Sequence, residues 1–274
     1  MTVWICRTCA VEHPDAARPP QVCEICADER QWVPAAGQQW TTLDELRTPG
    51  RKMAIEEVEP DLFGITVDPE VGIGQRSLLV RTPAGNLLWD PTGYLDDDAA
   101  RRVADLGPVR AVAASHPHMF GVQVEWSRAL GDVPVLVNEA DARWLARPDA
   151  AVRYWSGTLE VVPGLTLHQL GGHFPGSAVA HWPAGAGGAG VLLAGDTVSP
   201  NPDRVTVSFM RSYPNRIPLS GAVVERLARA VEPLAFDRLY GNFAGVVPTG
   251  AKAAVRYSAA RHVTWVDGEH DDET

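Results

Sequence analysis

The sequence contains no apolar run long enough to span a membrane and no excess of basic residues. It has 34 acidic against 24 basic side chains and a formal net charge of −10, so there is no electrostatic basis for binding nucleic acid. The N-terminus lacks a basic segment followed by an apolar one, the pattern of a secretory signal peptide. We therefore expect a cytoplasmic protein whose partner is a small-molecule substrate, not a membrane or a nucleic acid.

Cysteine is absent after residue 26. The four cysteines form two C-x-x-C turns, Cys6 with Cys9 and Cys23 with Cys26, and such paired turns bring four sulfurs around one tetrahedral metal ion. The polar, proline-rich segment between them cannot bury a core, so the metal would supply folding free energy, on the order of 10 kcal/mol for structural zinc. A disulfide pair is disfavoured in the cytosol, and a redox motif needs only one C-x-x-C.

This cysteine segment resembles a short rubredoxin, like the module appended to rubrerythrins. The residues that carry the resemblance are Trp4–Cys9, Val22–Cys26 and the following Gln31-Trp32, and it covers about residues 2–34. A rubredoxin holds iron and passes electrons, whereas a zinc ribbon only folds. Because four thiolates accept either metal, the ligand set leaves zinc and iron open. A homo-oligomer or a protein partner bound through this module also stays open.

Three histidines and one aspartate each follow an apolar run or a glycine-rich turn: His116, His118, His173 and Asp196. The first two stand at i and i+2 after the apolar stretch 109–114, so they leave a predicted strand on one side of the chain. A single such histidine is more often structural than a ligand. Together, three imidazoles and one carboxylate predict the ligand set of one divalent metal, zinc or iron.

The order of these residues resembles the metallo-β-lactamase superfamily. Its pattern is His-x-His-x-Asp-His, then a lone histidine, a bridging aspartate and a final histidine. Here the Asp-His half of the first motif falls on Phe120 and Gly121, which cannot ligate, and the final histidine falls on Asn242. The resemblance covers about residues 50–266 and implies an αββα sandwich with the metal at the sheet edge. The missing ligands predict one ion instead of two, with Asn242 beside the ligands.

The predicted fold is α+β, with a rubredoxin-like zinc-ribbon module over residues 1–34, a connector over 35–50, a metallo-β-lactamase-like domain over 51–266 and an acidic tail over 267–274. Strands are predicted at 55–58, 63–67, 77–81, 86–89, 165–170, 178–182 and 191–194. Helices are predicted at 99–106, 125–129, 139–145 and 222–230. Strand meanders with interleaved helices indicate two sheets packed face to face with helices outside.

Three further residues are candidates for the site. Asp90 follows a predicted strand, and we expect it to fix the metal-ligand loop by hydrogen bonds; an Asx turn before Pro91 is the alternative. Arg211 and Tyr213 lie in a stretch after the Asp196 turn. We expect them to line the substrate pocket, where they would suit an anionic or carbonyl-bearing substrate, with an ordinary surface loop as the alternative.

The predicted chemistry is hydrolysis. Three imidazoles on zinc leave a position for water, whose pKa falls from about 15.7 to about 7, so that a metal-bound hydroxide forms at neutral pH. Asp196 would be a fourth ligand or the proton acceptor and, with His118, the catalytic pair. A carbonyl ester, lactone, amide or thioester is the natural substrate.

Two alternatives of other classes stay open. His116, His173 and Asp196 also match the two-histidine, one-carboxylate triad of mononuclear iron oxygenases, and persulfide dioxygenases share the superfamily fold; His118 would then only support the ligands. The third possibility is a non-catalytic metal-binding scaffold. Zinc in the core favours hydrolysis, iron favours oxygen chemistry, and a metal-free core favours the scaffold.

Overall fold

The computed structural model describes residues 2–48 and 50–274. Two large β-sheets pack face to face, and their inner side chains meet in one core that includes Trp89, Leu165 and Leu193. Helices cover the outer face of each sheet, so the molecule has four layers. This is the α+β sandwich that the sequence predicts.

The N-terminal module is built on a small antiparallel sheet. Its strands are β1 (Thr2–Cys6), β2 (Glu12–Ala16) and β3 (Trp40–Thr41), and its helices are α1 (Glu24–Ala27) and α2 (Leu43–Leu46). The strand order is β2-β1-β3. Because β3 pairs with Ile5 and Cys6, the segment 35–50, expected as a connector, supplies an edge strand, and the sheet of the module continues past residue 34.

The first large sheet has seven strands: β4 (Lys52–Glu59), β5 (Leu62–Asp68), β6 (Ser77–Val80), β7 (Asn86–Trp89), β8 (Val109–Ala113), β9 (Val135–Asn138) and β10 (Val152–Trp155). Neighbours are antiparallel from β4 to β7 and parallel from β7 to β10. Every residue of β6 and β7 is buried. The second sheet covers one face of these strands, and helices α3 (Asp97–Asp105) and α4 (Gln123–Ala129) cover the other.

The second half of the chain supplies β11 (Thr158–Val162), β12 (Leu165–Gln169), β13 (Ala178–Trp182), β14 (Val191–Leu193), β15 (Ser199–Pro200), β16 (Val207–Ser208), β17 (Met210–Ser212), β18 (Ile217–Pro218), helix α5 (Gly221–Val231), β19 (Arg238–Tyr240), β20 (Val246–Val247) and helix α6 (Ala251–Val266). The second large sheet has the order β11-β12-β13-β14-β19-β20, and β15–β16 and β17–β18 are separate pairs. Only β14 and β19 are parallel neighbours in it, because α5 lies in the crossover between them.

Two helical segments differ from the prediction. Residues 139–145 form a 3₁₀ helix, Glu139–Trp144, not an α-helix; the other 3₁₀ helices are Pro117–Met119, Ala186–Gly188 and Asp271–Glu273. Helix α6 is not predicted at all. Its buried face consists mainly of alanines and Ser258, so it lacks the bulky apolar repeat that marks a helix in sequence.

No helix in the described ranges has both the length and the apolar character needed to cross a membrane.

The N-terminal module is docked tightly onto the large domain. A Cβ atom added to Gly93 would lie 2.1 Å from the Cβ of Ala10, and one added to Gly72 would lie 2.5 Å from it. Beside this contact, the buried Glu12 carboxylate accepts a 2.5 Å hydrogen bond from the backbone N–H of Val124. It also forms a 2.5 Å ion pair with the buried Arg147 guanidinium.

The Arg147→Met variant should lower the free energy of unfolding by about 3–5 kcal/mol, because it leaves a buried carboxylate without its cation. Burial raises the pKa of Glu12 to about 7 against the opposing charge of Arg147. Without that charge the pKa rises further, and the native state keeps a proton that the unfolded state releases. The loss should therefore be larger at pH 8 than at pH 5, as measured by urea denaturation.

The matched control is Arg229→Met, which breaks an exposed pair between Arg229 and Glu225 and should change stability by less than about 1 kcal/mol. Equal losses in the two variants would contradict a supporting role for the buried pair.

Candidate functional site

The site lies at the sheet edge where β7 and β8 end side by side. These strands are parallel neighbours, so the residues that follow them meet at one edge, the usual place for a ligand in such sheets. Asp90 follows β7, and its Oδ1 accepts a 2.6 Å hydrogen bond from the backbone N–H of Ser115. This bond fixes the loop after β8 that carries His116 and His118.

Asp196 reaches this loop because the preceding residue is glycine. Gly195 follows β14 with φ of +54°, and a Cβ atom there would lie 2.4 Å from Ser115 Oγ. Glycine alone permits both the conformation and the approach. His173 enters from the turn between β12 and β13, so the four predicted residues come from three different turns.

The four ligand atoms converge on one point, all within 4.8 Å of one another. Nδ1 of His118 lies 3.4 Å from Nε2 of His173. Oδ2 of Asp196 lies 3.6 Å from His116 Nε2 and 3.9 Å from His173 Nε2. Ligand atoms of a regular tetrahedron with bonds of about 2.05 Å would lie about 3.4 Å apart. The separations thus fit one ion.

Hydrogen bonds behind two of the rings set which nitrogen faces this point. His173 Nδ1 donates to the Met210 carbonyl at 3.0 Å, which leaves the Nε2 lone pair free for a metal. His116 Nδ1 lies 2.9 Å from Ser115 Oγ. His116 Nε2 is buried and has no hydrogen-bond partner among the described residues. A cation at the convergence point would satisfy it.

Burial keeps the three imidazoles neutral, the form that ligates a metal. It lowers the pKa of His116 and His118 well below the ordinary value and that of His173 to about 4. The same burial raises the pKa of Asp196 to about 7. The Asn242 amide opposes that rise but completes no regular hydrogen bond with the described residues. The donor set fits a divalent metal.

A second ion lacks its ligands. Phe120 is buried in the same apolar cluster as the four cysteines. A Cβ atom on Gly121 would lie 2.2 Å from the Pro91 carbonyl oxygen, so no ligating side chain fits there. Within the described ranges, the metal-ligand groupings are this site and the four-cysteine cluster alone.

The four cysteines are unpaired by disulfides and buried. Sγ of Cys6 lies 3.6 Å from that of Cys26, and Sγ of Cys9 lies 3.7 Å from that of Cys23. Sulfurs of a regular tetrahedron with metal–sulfur bonds of about 2.3 Å would lie about 3.8 Å apart. Gln38 Nε2 donates to Cys6 Sγ at 3.1 Å, as expected for a bound thiolate. The cluster therefore fits one tetrahedral metal.

The cysteine module also contacts the core site directly. Arg30 Nε donates to the His173 carbonyl at 2.7 Å. Its guanidinium stacks 4.3 Å from the centre of the Phe174 ring, and that ring packs against all three histidine rings. Asp28 pairs with the same guanidinium at 2.6 Å. Arg30 thus positions the turn that carries His173.

A cavity of about 360 Å³ opens above the ligands. Residues from the module, from the large domain and from the ligand set line it: Thr8, Gln31, Trp32, Gly72, Ile73, His118, His173, Asp196, Ser199, Tyr213, Pro214 and Phe243. Tyr213 is one of them, and its hydroxyl lies within hydrogen-bond distance of the Asp196 and Ser208 carbonyls. Arg211 does not line the cavity. Its guanidinium pairs with Glu29 at 2.5 Å.

Sequence reasoning did not identify Arg30, Trp32 and Phe174 as parts of the site. Arg30 and Trp32 follow the second C-x-x-C turn, and Phe174 follows His173, so adjacency to ligands was the available signal. It was too weak because nothing in the sequence shows that the module packs against the core site.

The uncharacterized protein YmaE of Bacillus subtilis (strain 168) is 44% identical over 271 residues, covering 98% of each chain. No family model matches the chain.

Solved structures share the architecture at low identity. The crystal structure of DIM-1 metallo-β-lactamase superposes with a TM-score of 0.59 and 13% identity, covering 78% of this chain and 98% of that one. The metallo-β-lactamase FIM-1 from Pseudomonas aeruginosa, in its mono-zinc form, superposes with a TM-score of 0.52 and 13% identity, covering 76% and 96%. These likenesses confirm the predicted fold.

We expect two metal ions per purified chain, one at each of the two ligand groupings. Cys9→Ser should release the module's ion, and His118→Ala should release the core ion, because three protein imidazoles are near the minimum for tight zinc binding. Elemental analysis of the variants tests this. A third equivalent, or a pair of core ions about 3.5–4 Å apart, would contradict it.

Arg30→Met should weaken core metal binding about tenfold, the lower end of the effect of losing an outer hydrogen bond that orients a ligand. Chelator competition on the core site gives the affinity. Arg47→Met, which breaks an exposed pair with Asp44 in the same module, is the control and should leave it unchanged. Equal affinities in all three proteins would rule out the positioning role.

Proposed function

Because this chain belongs to the family of Bacillus subtilis YmaE and has the metallo-β-lactamase fold, we propose that it is a metal-dependent hydrolase with one zinc ion in its core site. The substrate is a carbonyl ester, lactone, amide or thioester. One observation carries the proposal: three neutral imidazoles and one carboxylate converge at the base of a cavity, while Phe120 and Gly121, at two positions of a second ligand set, cannot ligate.

Zinc held by His116, His118 and His173 would supply a Lewis acid that polarises a carbonyl and acidifies water. FIM-1 has a mono-zinc form, which supports the proposal that a protein of this fold can hold a single zinc ion. A single ion also favours carbonyl substrates over phosphodiesters, because phosphoryl transfer profits from two metals.

Asp196 is the proton acceptor in this proposal. Its Oδ2 lies within 3.9 Å of the facing nitrogens of His116 and His173, so it borders the position that the zinc would occupy. The carboxylate would orient the attacking water and take its proton. Tyr213 presents its ring to the cavity and keeps its hydroxyl against backbone carbonyls, so it shapes the cavity wall.

The position of His118 favours hydrolysis over oxygenation. Its Nδ1 lies among the ligand atoms, 3.4 Å from His173 Nε2, which supports three imidazoles on the metal. The two-histidine, one-carboxylate triad of iron oxygenases uses only two imidazoles. The cysteine module lines the cavity beside the metal ligands. This supports a catalytic protein over a docking scaffold, because a scaffold does not need a cavity wall at its metal site.

Asp196→Asn should lower kcat about 100-fold, the lower range for loss of a general base, while core zinc stays bound through the three imidazoles. His270→Ala, a histidine near the C-terminus whose ring bonds Glu273, is the control and should match the parent protein. Initial rates on a panel of methyl esters, lactones, amides and thioesters, with metal content measured alongside, give the result.

The hydrolase proposal would fail if the zinc-loaded protein left the whole panel intact. Oxygen consumption by an iron-loaded form with a persulfide would then establish the oxygenase alternative.

A further inference from the structure

We propose that the four-cysteine module forms part of the substrate site, where Gln31 and Trp32, together with Phe243, select an uncharged acyl substrate that carries an apolar chain. The inference rests on the proposed hydrolase function and names its substrate class. Gln31, Trp32 and Phe243 all lie outside the metal-ligand set.

Away from the proposed zinc ion, the cavity offers no cationic side chain to an anionic substrate. Its described lining contains no lysine or arginine, and Asp196 is its one carboxylate. The two arginines near the cavity already have partners. Arg211 pairs with Glu29. Arg30 pairs with Asp28 and donates to the His173 carbonyl. A carboxylate on the distal part of a substrate would lose its water without gaining a partner. The expectation that Arg211 suits an anionic substrate therefore has no support in the geometry.

The cavity wall is instead apolar and aromatic. Trp32 is 47% exposed and Phe243 is 38% exposed, although large apolar side chains usually gain by burial. Both line the same cavity with Ile73 and Pro214. Exposed apolar residues that cluster at a cavity mark a binding site more than the same residues scattered singly. A saturated acyl chain in contact with these rings would cover them.

Gln31 supplies a neutral polar group in the same wall. It is 94% buried, since only 6% of its surface is exposed. Its Oε1 has no hydrogen-bond partner among the described residues. An amide can donate or accept, and O and N exchange by a flip of the group. Gln31 therefore offers a hydrogen bond to a carbonyl or amide of the substrate and brings no charge to the cavity wall.

The segment that carries these side chains is held in place by the large domain. Asn215 Nδ2 donates to the carbonyls of Glu29 and Gln31 at 2.7 and 3.0 Å. Ser212 Oγ donates to the Arg30 carbonyl at 3.0 Å. Trp32 thus follows a fixed backbone, and its place at the cavity does not depend on a mobile loop.

The test uses three N-acetylcysteamine thioesters with the zinc-loaded protein: acetyl, octanoyl and 7-carboxyheptanoyl. The last two differ only by a carboxylate at the far end of the chain. We expect kcat/KM to be highest for octanoyl and at least about tenfold lower for its carboxylate counterpart, a difference of about 1.4 kcal/mol. Trp32→Ala should raise KM for octanoyl about tenfold and raise KM for the acetyl substrate much less, so the preference for octanoyl over acetyl should fall.

Trp32→Phe should restore most of the octanoyl affinity because it keeps an aromatic face. The matched control is Trp265→Ala, since Trp265 on α6 is 46% exposed and does not line the cavity. Gln31→Leu should raise KM for both neutral thioesters, because its partner is the polar end that they share.

A binding measurement separates this inference from the hydrolase proposal. Calorimetry with 2-decanone, an uncharged ketone that cannot be hydrolysed, should show binding to the zinc-loaded protein that Trp32→Ala weakens. If the thioesters stay intact while 2-decanone binds in this Trp32-dependent way, the hydrolase proposal fails and the ligand class stands. If thioesters are cleaved without preference for the neutral long chain, or Trp32→Ala changes nothing, the inference is overturned and hydrolysis stands. If the thioesters stay intact and 2-decanone does not bind, both the hydrolase proposal and the inference about the ligand class are overturned.

Discussion

Three imidazoles and one carboxylate are buried together, and the surrounding structure holds them in that state. Burial keeps the imidazoles unprotonated, so charge repulsion does not push them apart. The Met210 carbonyl and the Ser115 hydroxyl hold two rings from behind. Such a cluster is costly for an apolar core unless a metal completes it. The strand ends, the Gly195 turn and the Asp90 bond all serve this one arrangement.

The cysteine module and the loss of the second metal position belong to the same packing arrangement. Phe120 stands where the superfamily pattern has a carboxylate, and it packs in the apolar cluster that contains all four cysteines. Phe174 joins that cluster and touches the histidine rings. A carboxylate at Phe120 would be buried against sulfurs, with desolvation and like-charge repulsion both opposing it. One aromatic layer therefore separates the two metal-binding groupings and supports both.

The fold class and both ligand clusters could be predicted because their signals are local. Each signal spans only a few residues: the two C-x-x-C turns, the His-x-His motif after one strand and the Gly-Asp pair after another. Contacts between distant segments could not be predicted: Arg30 with the His173 carbonyl, Glu12 with Arg147, and strand β3 in the expected connector all depend on docking. Helix α6 was missed because its buried side chains are small. Asp90 and Arg211 had equally short motifs, so the sequence could not distinguish their surroundings: Asp90 bonds the Ser115 N–H, whereas Arg211 pairs with Glu29 of the cysteine module.

The Ala10 contact limits which ribbon can be joined to this sandwich. A Cβ atom at Gly93 or Gly72 would lie 2.1 or 2.5 Å from the Ala10 Cβ, so a side chain at either glycine would overlap the Ala10 methyl group. A chimaera in which Ala10 faces a larger residue at either position would clash at this contact. Exchange of the ribbon between two such proteins therefore requires that position 10 match the two positions it faces.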